Sequence, residues 1–187
     1  MMSEVLLIFA VAVVVLLVIC IYTGLNYFNK KTIIIGGEEF RVYRRYGNRR
    51  EAAELLNRSN RNVIRFIEHL KSKPEFKHES DNLKYRYDPG HFEEGKRSFT
   101  VSKGRKISMC LRNESGELYS DNTIMFVLLH ELSHVAINTH DHTPEFWDTF
   151  GRILKEAHLF GIYDPVNYAI NPEKYCGIII KHNPYYS

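Results

Sequence analysis

The sequence predicts an α+β protein in which an N-terminal transmembrane helix precedes one compact domain. Three observations predict this class. Residues 5–25 form a hydrophobic run without a charged side chain, two later stretches alternate as hairpin strands do, and three segments have the apolar spacing of amphipathic helices. After the hydrophobic run, the chain of 187 residues leaves room for one domain with a real core but hardly for two.

The hydrophobic run predicts an uncleaved membrane anchor over residues 1–29, with the transmembrane part at about residues 5–25. About 20 apolar residues in a helix span a bilayer. A cleavable signal peptide fits less well, because the preceding segment carries Glu4 and no basic residue, and no small-residue cleavage site follows. Basic residues such as Lys30 and Lys31 follow the run, so we expect a single-pass protein whose domain, residues 30–187, faces the cytosol.

Composition favours an ordinary globular domain over a nucleic-acid-binding one. The chain is 44% hydrophobic and 13% aromatic, and its net charge is only +3, whereas nucleic-acid binding calls for a strong basic excess. The three cysteines are Cys20, Cys110 and Cys176. Their odd number and their spacing do not fit a disulfide framework or a metal-ligand pattern, so a reducing compartment is expected.

Local patterns place the other elements. Residues 32–35 and 39–43 flank Gly36-Gly37 as a hairpin, and a second hairpin joins residues 99–101 to residues 107–111 across Lys103-Gly104. Apolar residues recur at helical spacing over residues 49–71, and Pro74 marks the end of that helix. Residues 74–95 look like a polar loop with a short alternating piece at residues 83–87.

Two helices and a strand complete the domain. Ser120 or Asp121 is a suitable N-cap for a helix over residues 122–138. Thr143 followed by Pro144 begins a second helix, which Gly161 ends. The apolar residues 175–180 predict a buried strand near the end of the chain. The sheet is expected to be mostly antiparallel and to pack against these helices.

The first of these two helices carries the sequence HELSH, which is suited to binding a metal. His130 and His134 are four residues apart, so both imidazoles project from one helix face and can bind one Zn²⁺ ion. Glu131 lies about 100° around the helix from His130, beside the metal rather than on it. There it is placed to act as general base toward a zinc-activated water. The alternative is a buried helix that merely carries two histidines.

A catalytic zinc site needs three protein ligands and one open position. The segment HDHTPEFW that follows offers His140 and His142 as the third ligand. His142 is favoured because it directly precedes the Thr143 cap, which fixes its backbone, whereas His140 lies in the freer connecting loop. His140 and Asp141 remain the alternatives.

These motifs resemble those of the SprT-like and WLM (Wss1-like metalloprotease) families of zinc peptidases. SprT-like members carry H-G-P-x-F-W after H-E-x-x-H, and residues 142–147 match it with Thr143 in place of glycine. The resemblance is most specific over residues 123–154. It implies His142 as the third zinc ligand, although WLM-type spacing also allows His140. It further implies a minimal zincin-like metallopeptidase domain that hydrolyses peptide bonds in a protein or peptide substrate.

The resemblance extends to small proteins of large DNA viruses, which share an N-terminal anchor, a lone peptidase domain and a closing Y-C-G-I segment. This implies a virion or host-cell membrane as the location. The zinc-ribbon and ubiquitin- or SUMO-binding segments of DNA-repair members have no counterpart in the sequence, so a DNA–protein crosslink substrate is not expected.

Two further expectations concern the substrate. In such peptidases an edge strand beside the metal helix pairs with an extended substrate, and residues 106–111 are either that strand or an ordinary internal one. Tyr163, Tyr168 and Tyr175 follow the motif and are candidates for stabilising the oxyanion, but each is more readily a structural residue. The competing function is a non-enzymatic membrane scaffold in which zinc only ties two helices together.

Overall fold

The computed structural model describes the backbone of residues 2–187 and the side chains of residues 7–21, 29–102 and 104–187. In this part of the chain the elements follow one another as α1 (Met2–Phe28), β1 (Lys30–Ile35), β2 (Glu38–Tyr43), α2 (Arg49–Lys71), α3 (Lys77–Arg86), β3 (Phe92–Glu94), β4 (Phe99–Val101), β5 (Lys106–Met109), α4 (Asp121–Ile137), α5 (Pro144–Phe160), β6 (Glu173–Tyr175) and β7 (Ile178–Ile180). The order confirms the α+β class.

The predicted membrane anchor is contradicted. Among the residues that the structure describes, no helix is both long enough and apolar enough to cross a bilayer. Residues 5, 6 and 22–25 of the predicted span lie outside the described side chains. The expectation of a single-pass membrane protein with a cytosolic domain is corrected by the same finding.

Five strands form one sheet in the order β1-β2-β3-β5-β4. The first predicted hairpin is confirmed by the antiparallel pairing of β1 with β2, and the second by that of β4 with β5. However, β3 pairs in parallel with both β2 and β5, so the sheet is mixed rather than mostly antiparallel. The difference arises because β3 enters the sheet between the two hairpins, which no local pattern predicts.

Helix α2 packs its apolar face against the sheet, and its bounds are those that the sequence predicts. The expected loop after it is wrong, because it contains α3. The alternation at Leu83, Tyr85 and Tyr87 does not mark a strand. Leu83 is buried, the Tyr85 side chain projects from the helix into solvent, and the Tyr87 hydroxyl donates to the Asn60 side chain.

The C-terminal segment forms a separate two-stranded hairpin of β6 and β7 instead of a single buried strand. Cys176 and Gly177 make its turn, and both have positive φ angles. Cys176 forms a disulfide bond with Cys110, which directly follows β5. The cysteine count did not indicate a disulfide framework, and the structure corrects that expectation with this one bond. Sequence separation hides the pair, because its members are 66 positions apart in the chain.

Candidate metal centre and cleft

Helix α4, which carries the HELSH motif, is capped at both ends and largely buried. The Ser120 hydroxyl accepts a hydrogen bond from the Thr123 amide at the beginning of the helix, as the sequence predicts. Asn138 ends the helix in the left-handed conformation, with φ 58°. Most of the helix between these caps is buried, including the apolar residues around the motif. The His130 and His134 backbones therefore cannot shift independently of the core.

Helix α5 brings the third histidine to the first two. The Thr143 hydroxyl accepts from the Phe146 amide at 3.2 Å, which fixes the first turn of α5 directly after His142. The Nε2 atom of His142 lies 3.1 Å from that of His130 and 3.3 Å from that of His134. The His130 and His134 Nε2 atoms are also 3.3 Å apart.

These separations fit a zinc ion. Zinc–nitrogen bonds are about 2.0–2.1 Å long, and in a tetrahedral site they place the nitrogens of two ligands about 3.3 Å apart. Among the described residues, these three histidines form a group whose ligand atoms lie within 4.8 Å of one another. The cluster can therefore hold a metal ion. His140 lines the same cleft but does not belong to the group.

The imidazoles of His130 and His134 are in the protonation state that a metal requires. Burial, followed by the charges of His134 and His142, lowers the pKa of His130 to about 3. Burial lowers the pKa of His134 to about 4. Both rings are thus neutral at pH 7 and offer a lone pair. The His134 Nδ1 lies 3.1 Å from the carbonyl oxygen of Thr139, and by donating to it leaves Nε2 for the metal.

Aromatic side chains of α5 hold the rings in place. Phe146 stacks on His134 with ring centroids 4.2 Å apart, and Trp147 stacks on His142 at 5.4 Å. Phe150 meets the His130 ring edge-on at 5.2 Å. The aromatic residues of α5 therefore restrict the orientation of the three imidazole rings.

Glu131 lies between α4 and the sheet. Its side chain is buried, and burial raises its pKa to about 7, although a hydrogen bond from the Thr100 backbone acts to lower it. A carboxyl group with a pKa near neutrality can both accept and return a proton at pH 7. Thr100 belongs to β4, so the carboxylate contacts the strand nearest the metal helix.

The two edge strands of this sheet are β1 and β4, and β4 is the one that lines the cleft. The structure places β5 between β3 and β4, so the segment from Lys106 to Leu111 cannot be the free edge that the sequence analysis considered, and the ordinary internal strand is the correct interpretation. Thr100 of β4, by contrast, lines the cleft that contains the three histidines. No local pattern distinguishes the edge strand of this hairpin from the internal one.

The cleft has a volume of about 760 Å³. Its floor is α4, one wall is β4, a second is α5, and the β6–β7 hairpin closes one end. Several lining residues were not singled out from the sequence. They are Arg97, Ser98, Phe126, Val127, Gly177, Ile178, Ile180, Lys181 and His182. No spacing pattern links them to HELSH, because the tertiary fold alone brings the hairpin to the metal helix.

Of the three tyrosines considered for the oxyanion, only Tyr175 lines the cleft. Its hydroxyl lies 2.6 Å from the Ser98 hydroxyl and donates to the Cys110 carbonyl at 2.7 Å. Tyr163 and Tyr168 are buried in the core, and the Tyr163 hydroxyl accepts from Asn183. The hydrogen bonds of Tyr175 and Tyr163 are structural, and Tyr168 is buried away from the cleft.

The domain is α+β, and the helix that carries H-E-x-x-H contributes two of three convergent imidazoles and a buried carboxylate. These features define a class of H-E-x-x-H domains whose histidine cluster can hold a metal ion. The WLM domain family matches residues 37–163, and the chain belongs to that family. Of the two families that the motifs resemble, the match is thus to the WLM family.

The most similar relatives include proteins of three viruses. An uncharacterized protein of Acanthamoeba polyphaga mimivirus is 40% identical over 87 residues, which cover 46% of this chain and 44% of that protein. One of Invertebrate iridescent virus 6 is 37% identical over 75 residues, 38% of this chain and 42% of that protein. A protein of Invertebrate iridescent virus 3 is 40% identical over 73 residues, which cover 38% of this chain and 45% of that protein. The match therefore spans less than half of each relative.

A crystal structure of a Wss1 mutant from S. pombe is also similar to this chain. It is 22% identical, and the match covers 50% of this chain and 83% of that one with a TM-score of 0.35.

Proposed function

We propose that this chain is a zinc-dependent peptidase in which His130, His134 and His142 hold the metal and Glu131 acts as general base. The observation that carries the proposal is the convergence of three imidazole Nε2 atoms within 3.1–3.3 Å of one another, beside a buried carboxylate. The membership of the WLM family and the resemblance of the motifs to zinc peptidases support it.

The donor set favours a catalytic over a structural site. Structural zinc sites are closed by four protein ligands, whereas catalytic sites have three and leave one position for water or substrate. Among the described residues the metal-binding group comprises three histidines. When bound, zinc supplies a Lewis acid and a water whose pKa lies near 7.

The chain's own residues perform the remaining steps. Glu131 takes the proton of the attacking water and returns it to the nitrogen of the leaving amine, and its pKa of about 7 suits both transfers. The Thr100 backbone acts to lower the pKa of Glu131 and so favours its charged form. The free edge of β4 offers backbone groups that an extended substrate can pair with, because no further strand covers it in the described sheet.

The substitution Glu131→Gln tests the function. It keeps the size of the side chain and the three histidines, so we expect about one zinc per chain by mass spectrometry of the metal. Cleavage of unfolded casein should fall by at least about a hundredfold, which is the usual contribution of a general base. Glu145→Gln is the matched control, because Glu145 is exposed on α5. Cleavage at the wild-type rate by Glu131→Gln would remove Glu131 from the mechanism.

Metal analysis of the wild type, together with the cleavage assay, distinguishes a peptidase from the alternative function, a non-enzymatic scaffold. A non-enzymatic scaffold would bind zinc in a closed site and would cleave no substrate under any condition. A zinc-loaded wild type that leaves casein intact would therefore favour the scaffold.

A further inference from the structure

Resting on the proposed function, we propose that the cleft selects substrates with a large apolar side chain next to the scissile bond, and that the Trp147 ring binds this side chain. Trp147 lies near the beginning of α5 and lines the cleft that contains the three histidines. The inference rests on the distance of this ring from the histidines, on its exposure, and on the direction in which β7 turns its side chains.

Trp147 lies directly beside the metal-binding cluster. Its ring stacks on that of His142 with centroids 5.4 Å apart and an angle of 24° between the ring planes. Its centroid lies 6.5 Å from that of His130. Because the proposed reaction takes place at these histidines, the substrate residues that flank the scissile bond are the ones whose side chains reach Trp147.

Trp147 exposes more apolar surface than the support of a histidine requires. Phe146 and Phe150 of the same helix also contact the imidazole rings, and they are 0% and 1% exposed. Trp147 is 38% exposed. Stacking on His142 uses one face of the indole, so the rest of the ring remains in contact with water in the cleft. A substrate side chain that covers it removes apolar surface of both partners from water.

Strand β7 continues this apolar surface along the cleft. Side chains alternate along a strand, and Ile178 and Ile180 line the cleft, whereas Ile179 lines a second cavity on the other side of the hairpin. The ring of His182, two residues after β7, meets the Trp147 ring edge-on at 5.4 Å. The row of side chains that begins at the turn of the hairpin therefore ends at Trp147.

The floor beneath this row is aromatic. Phe126 of α4 and Phe150 of α5 pack with ring centroids 5.3 Å apart, and both line the cleft. A charged side chain placed against this surface would lose hydration without gaining a partner, and a small one would leave the surface wet. A side chain of the size of phenylalanine or leucine matches it. The substrate class is therefore an extended peptide with such a residue at the site of cleavage.

Short synthetic peptides without tryptophan test the specificity. Each carries one Phe, Ala, Glu or Lys in an otherwise identical sequence of alanine and serine, and mass spectrometry locates the bond that the zinc-loaded full chain cleaves. We expect cleavage next to Phe, on one side of the bond only, to be at least about tenfold faster than next to Ala, as in other apolar pockets. Added salt should leave this preference unchanged, because screening acts on charges.

Trp147 is the sole tryptophan of the sequence, so its fluorescence reports on the proposed contact. The Phe peptide is added to zinc-loaded Glu131→Gln, which binds without cleaving. The emission should move to shorter wavelength and become less accessible to quenching by acrylamide, because the ring leaves water. The Ala peptide at the same concentration should have a clearly smaller effect.

Two variants of Trp147 separate substrate binding from support of the metal. Trp147→Gln should lose the preference for Phe over Ala, whereas Trp147→Phe should keep most of it. The preference is a ratio of kcat/KM values for two peptides, so a loss of zinc common to both cancels. Leu159→Gln is the matched control, because it removes an apolar side chain that is 77% exposed on the same helix, and it should keep the preference.

Three results of the cleavage assay would overturn the inference. They are equal rates for Phe and Ala peptides, faster cleavage next to Glu or Lys than next to Phe, and a preference for Phe that persists in Trp147→Gln.

The fluorescence measurement distinguishes this inference from the proposed function. If no peptide is cleaved, the peptidase fails, but a change in the Trp147 emission that favours the Phe peptide still supports the apolar site. If peptides are cleaved without preference, the peptidase stands and this inference fails. Binding of the Phe peptide without a change in emission, or no binding of any peptide, also contradicts it.

Discussion

The backbone amide of Thr100 faces the buried carboxylate of Glu131 and acts to lower its pKa against the effect of burial. This contact joins the edge strand β4 to the metal helix α4, so the strand that can pair with a substrate also positions the proposed base. Without a donor at Thr100 the carboxylate would be buried with one hydrogen bond fewer, at a site where burial already disfavours its charge.

The substitution Thr100→Pro removes that donor, whereas Thr100→Ala keeps it. We expect Thr100→Pro to lower kcat/KM by about tenfold or more, because the base is no longer held toward the metal. Thr100→Ala should stay near the wild-type value. Both variants should bind zinc as the wild type does, since no histidine is touched. Equal activity of the two variants, with the same melting temperature, would show that the contact does not position Glu131.

Substitutions of the two candidate third ligands should have opposite results. The His142 Nε2 belongs to the cluster, so His142→Ala should weaken zinc affinity by at least about a hundredfold. His140 lies outside the cluster, so His140→Ala should keep the wild-type affinity. Competition with a zinc chelator measures both. A loss of zinc in His140→Ala but not in His142→Ala would assign the ligand to the WLM-type spacing instead.

Glu93 should make the stability of the domain depend on acid pH. Its carboxylate contacts Lys30 at 2.9 Å, Lys106 at 2.8 Å and Arg41 at 3.4 Å. Burial acts to raise the pKa of Glu93, but the hydrogen bonds from Lys106 and Lys30 outweigh it, and the pKa lies below the ordinary 4.5. A lowered folded pKa gives stability that is present above the unfolded value and is lost as the pH falls through the folded value.

We therefore expect Glu93→Gln to lower the free energy of unfolding by roughly 2 kcal/mol at pH 7, as the loss of hydrogen bonds between charged groups does. The difference from the wild type should shrink below about pH 4.5, where the wild-type carboxyl begins to protonate. Urea unfolding between pH 3 and pH 7 measures it. Glu114→Gln is the control at an exposed position and should change little. A constant difference at every pH would contradict the assignment.

The Cys110–Cys176 bond should stabilise the domain and the end of the cleft together. It closes a segment of 66 residues, for which chain entropy predicts about 4 kcal/mol. We expect Cys110→Ser/Cys176→Ser to lower the free energy of unfolding by up to that amount, and a reductant to have the same effect on the wild type. Cys20→Ser is the control, because Cys20 takes no part in the bond. A reductant that destabilises the double variant equally would exclude this role.

Much of the local structure follows from the sequence. The bounds of α2, the Ser120 and Thr143 caps and the ends of both later helices depend on residues a few positions apart, and local hydrogen bonds and apolar spacing decide them. Helix α3 was missed because its apolar pattern is weak, and only Leu83 of its apolar residues enters the core. The predicted span over residues 5–25 depended on apolar content alone and is contradicted by the described part of α1.

The sequence by itself determined the chemistry of the site. The spacing of HELSH places two imidazoles on one face of a helix, and the Thr143 cap places His142 at the start of the next. Only the tertiary structure decided which strand is the free edge, that β3 pairs in parallel, and that Cys176 reaches Cys110. It also decided that the β6–β7 hairpin shares a cleft with the histidines. The physical reason is that helix faces and caps are set within a few residues, whereas strand order and cleft walls depend on packing between segments far apart in the chain.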